Sequence, residues 1–293
     1  MNIFITGGSG FIGRNLIEYY SNRYTVLAPS RQELDLLDED KVAKYFKANA
    51  IDIVVHCATK PGHRNVADPT NLVYSNCRMF FNIVRNSDQY EKMILIGSGG
   101  VYDERYYQQK IKEDYFDAHV PVDEHGFSKY ISAKYIERAE NIVELRVFGI
   151  FGKYEDYAIR FISNAICKAL FDLPITIKQN RRFDYLYMND LPKIIDYFVQ
   201  NKGDYKSYNV TPDGSIELLE LAEKVKAVSG KDLPIKVAKP GYGSEYSGDN
   251  SRIKKQMGRL YKLTPIDKAI GELNDWYVQN KNCINREVLL FDK

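Results

Sequence analysis

The amino-acid sequence predicts an α/β fold, a doubly wound parallel sheet with a smaller C-terminal α/β region. Short apolar runs alternate with longer segments of helical spacing through the first half of the 293-residue chain. This alternation is typical of parallel strands joined by right-handed helical crossovers. The runs are almost continuously apolar, as expected of strands covered on both faces. The second half is less regular and holds most of the prolines after residue 150, which favours a separate region there.

The first half divides into strands and helices that follow one another. Asn2–Thr6 is an apolar run that ends at glycines, and the segment after the glycines repeats apolar residues at helical spacing. The predicted strands are Asn2–Thr6, Tyr24–Ala28, Ile51–His56, Met93–Gly97 and Asn141–Phe148. The predicted helices are Phe11–Tyr20, Asp38–Asn49, Thr70–Ser87 and Ser128–Ala139. We assign residues 1–150 to the first domain.

Residues 151–293 are expected to form mainly the second region. The sequence predicts one strand there, Ile175–Lys178, and a loop over the glycine-rich residues 241–248. The predicted helices are Tyr157–Leu170, Asp190–Gln200, Ile216–Ser229 and a last one that begins after Pro265, with Thr264 as its cap.

Composition excludes several classes of protein. The 41 basic and 39 acidic residues give a net charge of +2, so we expect no nucleic-acid partner. No apolar stretch approaches the roughly 18–20 residues that span a bilayer. The first residues show no basic region and no small-residue cleavage site, so we do not expect secretion. The scattered cysteines and histidines predict no metal site, and the four cysteines are expected to be reduced in a cytoplasmic protein.

A glycine triplet follows the first predicted strand and opens the first helix. Gly7, Gly10 and Gly13 are spaced three apart. In a Rossmann fold such a turn brings backbone amides at the positive end of a helix close to a pyrophosphate. The position of the triplet between a strand and a helix therefore predicts a dinucleotide site.

The end of the second strand predicts which dinucleotide is bound. An Asp or Glu there binds the ribose hydroxyls of NAD, whereas Arg accommodates the 2′-phosphate of NADP. This chain has Ser30 and Arg31 and no acid at the tip, which favours NADP over NAD. The alternative is that Arg31 is a solvated loop residue, and Asp35 could approach the adenine.

Several further motifs occur in a recognisable order. They are Thr6–Gly13 (TGGSGFIG), His56–Thr59 (HCAT), a helix asparagine at Asn76, Ile96–Tyr102 (IGSGGVY), Gly126–Lys129 (GFSK), Arg182–Asp190 (RFDYLYMND) and Tyr208–Val210 (YNV). Through them, nearly the whole chain resembles the extended short-chain dehydrogenase/reductase family that acts on nucleotide sugars. The resemblance implies that segments near residues 184–210 return to the first domain. It also implies a homodimer built on the helices near Thr70–Ser87 and after Ser128, with Val73, Phe80, Phe81 and Val84 at the interface.

The resemblance also implies the roles of individual residues. Ser98, His125 and Lys129 fall at the positions of the catalytic residues. The implied cofactor contacts are Gly7, Gly10, Phe11, Ile12, Gly13, Ser30, Arg31, Cys57, Ala58, Thr59, Asn76 and Lys129. The implied substrate contacts are Tyr102, Arg182 and Tyr185.

His125 is the main departure from the family, because the family has tyrosine four residues before the lysine. Imidazole has a pKa near ~6.5, against ~10 for tyrosine, and a neighbouring lysine would lower the imidazole pKa further. His125 would then accept protons more readily than it donates them. In one hypothesis its titration controls the rate; in the other it is inert, and Ser98, Tyr102 or water relays the proton. A rival pair, Tyr130 and Lys134, lies about 140° around the helix from the first pair.

The expected function is an NAD(P)-dependent oxidoreductase acting on a nucleoside-diphosphate sugar. The absent acid after the second strand favours an NADPH-dependent keto-sugar reductase. The alternatives are an NAD-dependent epimerase, a dehydratase, and a catalytically silent dinucleotide-binding relative. The dehydratase is disfavoured because Gly99 and Gly100 stand where that class often has Asp-Glu, although Asp103 and Glu104 follow shortly.

Overall fold

A computed structural model describes residues 1–62 and 68–291 of the chain. Its strands are β1 (Asn2–Thr6), β2 (Thr25–Leu27), β3 (Ile53–His56), β4 (Lys92–Ser98), β5 (Ile142–Val147), β6 (Gly149–Phe151), β7 (Ile175–Asn180), β8 (Arg182–Phe183), β9 (Tyr185–Tyr187), β10 (Ser207–Val210), β11 (Ile216–Glu217) and β12 (Ile235–Tyr242). Its α-helices are α1 (Phe11–Tyr20), α2 (Glu39–Ala48), α3 (Leu72–Val84), α4 (Glu124–Ile136), α5 (Phe161–Leu170), α6 (Leu191–Gln200), α7 (Leu218–Ser229), α8 (Ser251–Met257) and α9 (Ile266–Gln279).

A parallel sheet lies at the centre, in the order β2-β1-β3-β4-β5-β10. All of its pairings are parallel, which confirms the predicted doubly wound fold. Alternate strand residues face opposite helical layers. Ile3 and Ile5 pack with α1 and α6, whereas Phe4 and Val54 pack with α2 and α3. Burial on both faces explains why the strands are almost continuously apolar.

The second region has a core of its own. Helices α5, α7 and α9 pack around β7, with Ile166, Ile175 and Leu221 in the interior. Strand β10 and helix α6, which follow parts of this region in the sequence, belong to the central sheet and its covering layer. The boundary near residue 150 stays a prediction.

Several predicted details differ in the structure. The second region has further strands beside the predicted Ile175–Lys178, and one of them, β12, extends to Tyr242 into the predicted loop. Helix α5 begins at Phe161 rather than Tyr157. Two other differences have a clear cause. Helix α4 begins at Glu124, four residues before the predicted start, because the Asp123 side chain accepts a hydrogen bond from the Gly126 backbone N–H and caps the helix. The prediction that Thr264 caps α9 is wrong, because that helix has no side-chain cap. The Thr264 hydroxyl donates instead to the Asp190 carboxylate at 2.9 Å.

Three findings concern partners and metals. Within the described ranges no helix is long and apolar enough to cross a membrane. Residues 1–62 and 68–291 also hold no group of three or more His, Cys, Asp or Glu side chains placed to bind a metal. All four cysteines are free thiols.

Candidate active site

The glycine turn between β1 and α1 is shaped by close backbone approaches. Gly7 has a φ of +70° and lies so near the loop after β3 that an added Cβ would stand 2.9 Å from Ala58. A Cβ on Gly13 would stand 2.2 Å from the Gly7 carbonyl oxygen. Gly10 differs, because its φ is −81° and only the Gly7 oxygen, at 3.3 Å, lies near its added Cβ among the described residues. Two glycines therefore serve the turn, and the third borders open space.

The first turn of α1 is suited to an anion. Helix α1 is ten residues long, and it has no side-chain cap and no acidic residue in its first turn. Its leading backbone N–H groups, on Phe11 and Ile12, and the positive end of its dipole are therefore uncompensated. The geometry fits a dinucleotide pyrophosphate against Gly10, as the sequence predicted.

The tip of β2 carries an exposed cation and no free acid beside it. The Arg31 side chain is 82% exposed, and its contact with Asp35 is long, at 3.9 Å. The nearest acid in sequence, Glu33, folds back and accepts a hydrogen bond from the Ser30 backbone N–H at 2.7 Å. Arg31 is therefore free to meet a phosphate, whereas Glu33 is bound to its own turn.

Thr6 joins β1 to the loop after β3. Its hydroxyl oxygen accepts hydrogen bonds from the backbone N–H groups of Cys57 and Ala58, both at 3.1 Å. Its single proton is then available to the Nδ1 atom of His56 at 2.8 Å. Burial, and secondarily the Lys129 charge, lower the pKa of His56 to about 3, so this ring is neutral at pH 7.

Asn76, on α3, holds the same loop from the other side. Its side-chain oxygen accepts hydrogen bonds from the Lys60 backbone N–H at 2.6 Å and from the Thr59 hydroxyl at 3.2 Å. Its amide donates to the Lys60 carbonyl at 3.2 Å. Both ends of the Asn76 amide are therefore engaged with the chain, so this residue shapes the loop; its predicted contact with the cofactor stays a prediction.

The end of β4 meets the start of α4 at short distance. An added Cβ on Gly126 would stand 2.7 Å from the Gly100 carbonyl oxygen, so only glycine permits this contact. The Ser98 hydroxyl oxygen accepts a hydrogen bond from the Gly100 backbone N–H at 3.0 Å. A Cβ placed on Gly100 would lie 3.4 Å from the Ser98 oxygen and 3.7 Å from the His125 ring. The predicted catalytic serine and histidine are thus neighbours.

Lys129 lies one turn along α4 and influences the whole site electrostatically. Its ammonium is 3.5 Å from the Ile96 carbonyl oxygen, and burial lowers its pKa. Its charge lowers the pKa of His125, which burial brings to about 4, and it also acts on Cys57 beyond β3. The backbone carbonyl of His125 accepts a hydrogen bond from the Ser128 hydroxyl at 2.7 Å, whereas its ring makes none to another described residue. The rival residues Tyr130 and Lys134 instead pair with the exposed Asp117.

The three predicted substrate residues differ in accessibility. Tyr102 is only 3% exposed, and its hydroxyl lies between Arg146 and Asn209 at 2.9 Å from each. It is enclosed in the fold, so the prediction that it contacts a substrate or replaces the proton donor is corrected. Arg182 is tied to Ser215 and Glu217. Tyr185 lines a cavity of about 490 Å³ between β9 and α9, which contains none of the glycine-turn or Ser98 residues.

Two residues that sequence reasoning missed lie beside the predicted catalytic group. Tyr246, between β12 and α8, places its hydroxyl beside Gly99, the residue that follows Ser98, because a Cβ added to Gly99 would stand 2.6 Å from that oxygen. Arg160, exposed at the start of α5, is close enough to lower the pKa of His125 further. Neither residue belongs to a motif, so no sequence signal marked them.

Comparison with known proteins identifies the family. Residues 3–211 match the model of the NAD-dependent epimerase/dehydratase family, which covers most of the chain. The chain belongs to this family of nicotinamide-dependent enzymes. It is 24% identical over 224 residues to a GDP-L-colitose synthase from Yersinia pseudotuberculosis, covering 69% of this chain and 73% of the relative.

Solved structures of family members share the fold. A GDP-mannoheptose C4 reductase from Campylobacter jejuni with NADP bound superposes with a TM-score of 0.81 at 22% identity, covering 94% of this chain and 98% of that one. A UDP-glucose 4-epimerase from Thermotoga maritima with UDP-glucose superposes at 0.82 and 20% identity, covering 96% and 100%. These likenesses show the fold of the chain. A reductase and an epimerase share that fold, so the fold does not distinguish the two reactions.

Replacing Gly10 with valine should weaken binding of NADPH about 10- to 150-fold, the loss expected when hydrogen bonds to a charged group are disturbed. The backbone at Gly10 accepts any residue, so folding should be retained. Isothermal titration of NADPH measures the effect. Gly271→Val, on an open face of α9, is the matched control, and equal affinities in the two variants would remove Gly10 from the cofactor site.

Proposed function

We propose that the chain is an NADPH-dependent oxidoreductase that reduces a keto group on a nucleoside-diphosphate sugar. The observation that carries this proposal is the meeting of Ser98, His125 and Lys129 at the carboxyl end of β4. The Lys129 charge reaches Cys57, and the adjoining Ala58 touches the glycine turn. The reacting groups and the dinucleotide site therefore adjoin one another, at the edge of the sheet where such folds bind ligands.

The residues present are suited to hold the dinucleotide. Its pyrophosphate would meet the first turn of α1, with the glycine turn beneath, and its 2′-phosphate would meet Ser30 and Arg31. The loop of Cys57, Ala58 and Thr59, shaped by Thr6 and Asn76, would border the middle of the cofactor, and Lys129 would hold the nicotinamide ribose. When bound, the reduced cofactor supplies a hydride to the substrate.

The substrate class follows from the relatives and from one cation. A GDP-L-colitose synthase and a GDP-mannoheptose C4 reductase are among the similar proteins, which supports a nucleotide sugar. Arg160 is exposed, its charge acts on His125, and it would pair with the diphosphate. Tyr185 and Arg182 lie farther into the second region, where the sugar or base would extend.

Reduction is favoured over dehydration by the residues after Ser98. Gly99 and Gly100 carry no acid, and the carboxylate of Asp103 is buried against the Arg105 guanidinium. Asp103 therefore does not supply the missing acid. Reduction is favoured over epimerisation by Arg31, because its exposed guanidinium suits the 2′-phosphate of NADPH, the cofactor that a reductase consumes.

Turnover across matched substrates tests the proposal. We expect NADPH oxidation with GDP-, UDP- or dTDP-linked 4-keto-6-deoxyhexoses, and no interconversion of UDP-glucose with UDP-galactose. Epimerisation without net cofactor oxidation would replace the proposal with the NAD-dependent epimerase. His125 favours one other candidate, a dinucleotide-binding protein without turnover, and tight NADPH binding without reaction of any sugar would support it.

Replacing Arg31 with alanine should weaken NADPH binding by about 10- to 150-fold, because a charge-assisted contact with the 2′-phosphate is lost. NADH binding should be unchanged. Fluorescence titration of both cofactors measures the preference, with Lys41→Ala on the following helix as a control for surface charge. Tighter binding of NADH by the wild type, or intact NADPH affinity in the variant, would contradict the assignment.

We further propose a homodimer that uses the outer face of α3 and α4. Two residues expected at the interface, Phe80 and Val84, instead pack against the sheet of their own chain. The exposed apolar surface is formed by Tyr74 and Tyr135, which are 64% and 41% exposed, and by neighbouring Phe127. Sedimentation velocity at micromolar concentration should show a dimer that Tyr135→Glu dissociates; a monomeric wild type would exclude it.

A cytoplasmic location is part of the same proposal. The four free cysteines suit a reducing compartment. Fractionation of cells that produce the native protein tests this, and recovery from a secreted or membrane fraction would contradict it.

A further inference from the structure

Reduction of a keto sugar requires a proton donor, and His125 is poorly suited to that role. This inference rests on the proposed function. Burial and the Lys129 charge lower the pKa of His125 to about 4, so the imidazole is neutral at pH 7 and has no readily released proton. The proton that completes the alcohol must come from another group near Ser98.

Tyr246 places a phenol at that point. An added Cβ on Gly99 would stand 2.6 Å from the Tyr246 hydroxyl oxygen. The side chains of Ser98 and Tyr107 are close enough to act on the pKa of this hydroxyl. The ring is fixed between Phe148 and Phe183, with centroid distances of 4.9 and 5.9 Å. The segment after β12 thus delivers a rigidly held phenol to the predicted catalytic serine.

The other tyrosines near Ser98 are engaged elsewhere. The Tyr107 hydroxyl donates to the Gly99 carbonyl oxygen at 3.1 Å. Tyr102 is enclosed between Arg146 and Asn209. Tyr130 pairs with Asp117 on the outer surface. Tyr246 is therefore the tyrosine whose hydroxyl faces the Ser98 oxygen from the second region.

We propose that Tyr246 is a catalytic residue, and that its phenol protonates the sugar carbonyl oxygen that Ser98 holds. The C=O double bond opens as the carbon receives the hydride of the reduced nicotinamide cofactor and the oxygen receives the phenolic proton. The sugar is reduced to an alcohol, and the cofactor is oxidised. Tyr246 is half-buried, so water restores its proton.

The neighbours of Tyr246 support this transfer. Burial raises the pKa of Tyr246 to about 12, while the hydroxyls of Ser98 and Tyr107 act in the opposite direction. Both hydroxyls stabilise the phenolate that forms when the proton leaves. The charges of two other titratable groups, Tyr102 and Asp184, disfavour the phenolate. Tyr246 thus supplies, from the second region, the phenol that the family has at position 125.

The test compares Tyr246→Phe with two matched variants in the NADPH-dependent reduction of a GDP-linked 4-keto-6-deoxyhexose. Tyr246→Phe keeps the ring and its packing, and we expect kcat to fall about 100- to 10,000-fold with KM and NADPH affinity nearly unchanged. Tyr242→Phe removes a hydroxyl from the exposed last residue of β12 and should react like the wild type. His125→Phe should lose far less than Tyr246→Phe.

A second variant keeps the proposal falsifiable if Tyr246→Phe folds poorly. Tyr246→His returns a titratable group to the position; because burial would lower its pKa as it does at His125, we expect it to recover part of the lost kcat at acid pH only, with activity falling as the pH rises through the pKa of the new imidazole. Wild-type kcat in Tyr246→Phe, or the large loss in His125→Phe alone, would overturn the proposal. No reduction of any keto sugar by the wild type would instead reject the proposed function, and this inference with it.

Discussion

Replacing Arg146 with methionine should destabilise the fold by about 3–5 kcal/mol, the cost of leaving a buried charge without its partner. The side chains of Arg146 and Glu144 lie on β5 and are 2% and 0% exposed. The guanidinium donates to one Glu144 oxygen at 2.8 Å and to the Tyr102 hydroxyl at 2.9 Å. Among the described residues the second Glu144 oxygen has no hydrogen-bond partner, so Arg146 is the main compensation for this carboxylate.

The double variant Glu144→Leu/Arg146→Met is the informative control. It removes both charges and should be much more stable than the single variant, because a buried ion pair and an apolar pair of similar volume often differ little in stability. Guanidinium denaturation of the three proteins measures the difference. A loss below about 1 kcal/mol in the single variant, or equal instability of single and double variants, would show that the pair is well solvated.

Acidification should destabilise the chain between pH 7 and pH 5 by about 2 kcal/mol through His56 alone. His56 is 3% exposed, and burial lowers its pKa to about 3 in the folded chain. The unfolded chain, with an ordinary pKa near ~6.5, therefore binds the proton first as the pH falls. The stabilisation that neutral His56 provides is fully present above the pKa of the unfolded chain, ~6.5, and is lost progressively as the pH falls below that value.

Denaturation at several pH values tests this expectation. His56→Gln keeps an oxygen that can accept the Thr6 proton and removes the titration, so its stability should depend less on pH than that of the wild type. The ring signals of His56 in NMR spectra should also stay those of a neutral imidazole down to about pH 4. Parallel pH profiles of the two proteins would exclude His56 as the source of the dependence.

Much of the fold could be predicted because it depends on local periodicity. Apolar runs and helical spacing predicted five of the six strands of the central sheet, and the glycine triplet predicted the turn before α1. The sixth strand, β10, was not predicted from periodicity; the family resemblance alone implied that its segment returns to the first domain. The start of α4 was misplaced, and Gly126 lies in its first turn. The absent side chain of Gly126 allows the Gly100 carbonyl to approach. Thr264 could not be interpreted without knowing that Asp190 lies beside it.

Candidate site residues that belong to a sequence motif could be predicted. Those that only the fold brings beside the motif residues could not. Ser98 and Lys129 fall at motif positions. Tyr246 lies 148 residues after Ser98 in the chain (246 − 98), and no spacing rule connects them. Tyr102 was misjudged for the converse reason, because its closeness to Ser98 in sequence suggested an open position. Its partner Asn209 is on β10, and the pairing of β10 with β5 encloses it.

The Thr6 hydroxyl restricts which residues evolution can accept at the end of β1. Thr6 stands in an apolar strand where valine would have nearly the same shape. Its oxygen nevertheless satisfies two backbone N–H groups and offers its proton to the His56 ring. A valine would leave all three groups unpaired in the interior, whereas the smaller serine would keep them paired at the loss of one methyl group. Substitution at this position is therefore limited by hydrogen-bonding capacity rather than by volume or hydrophobicity.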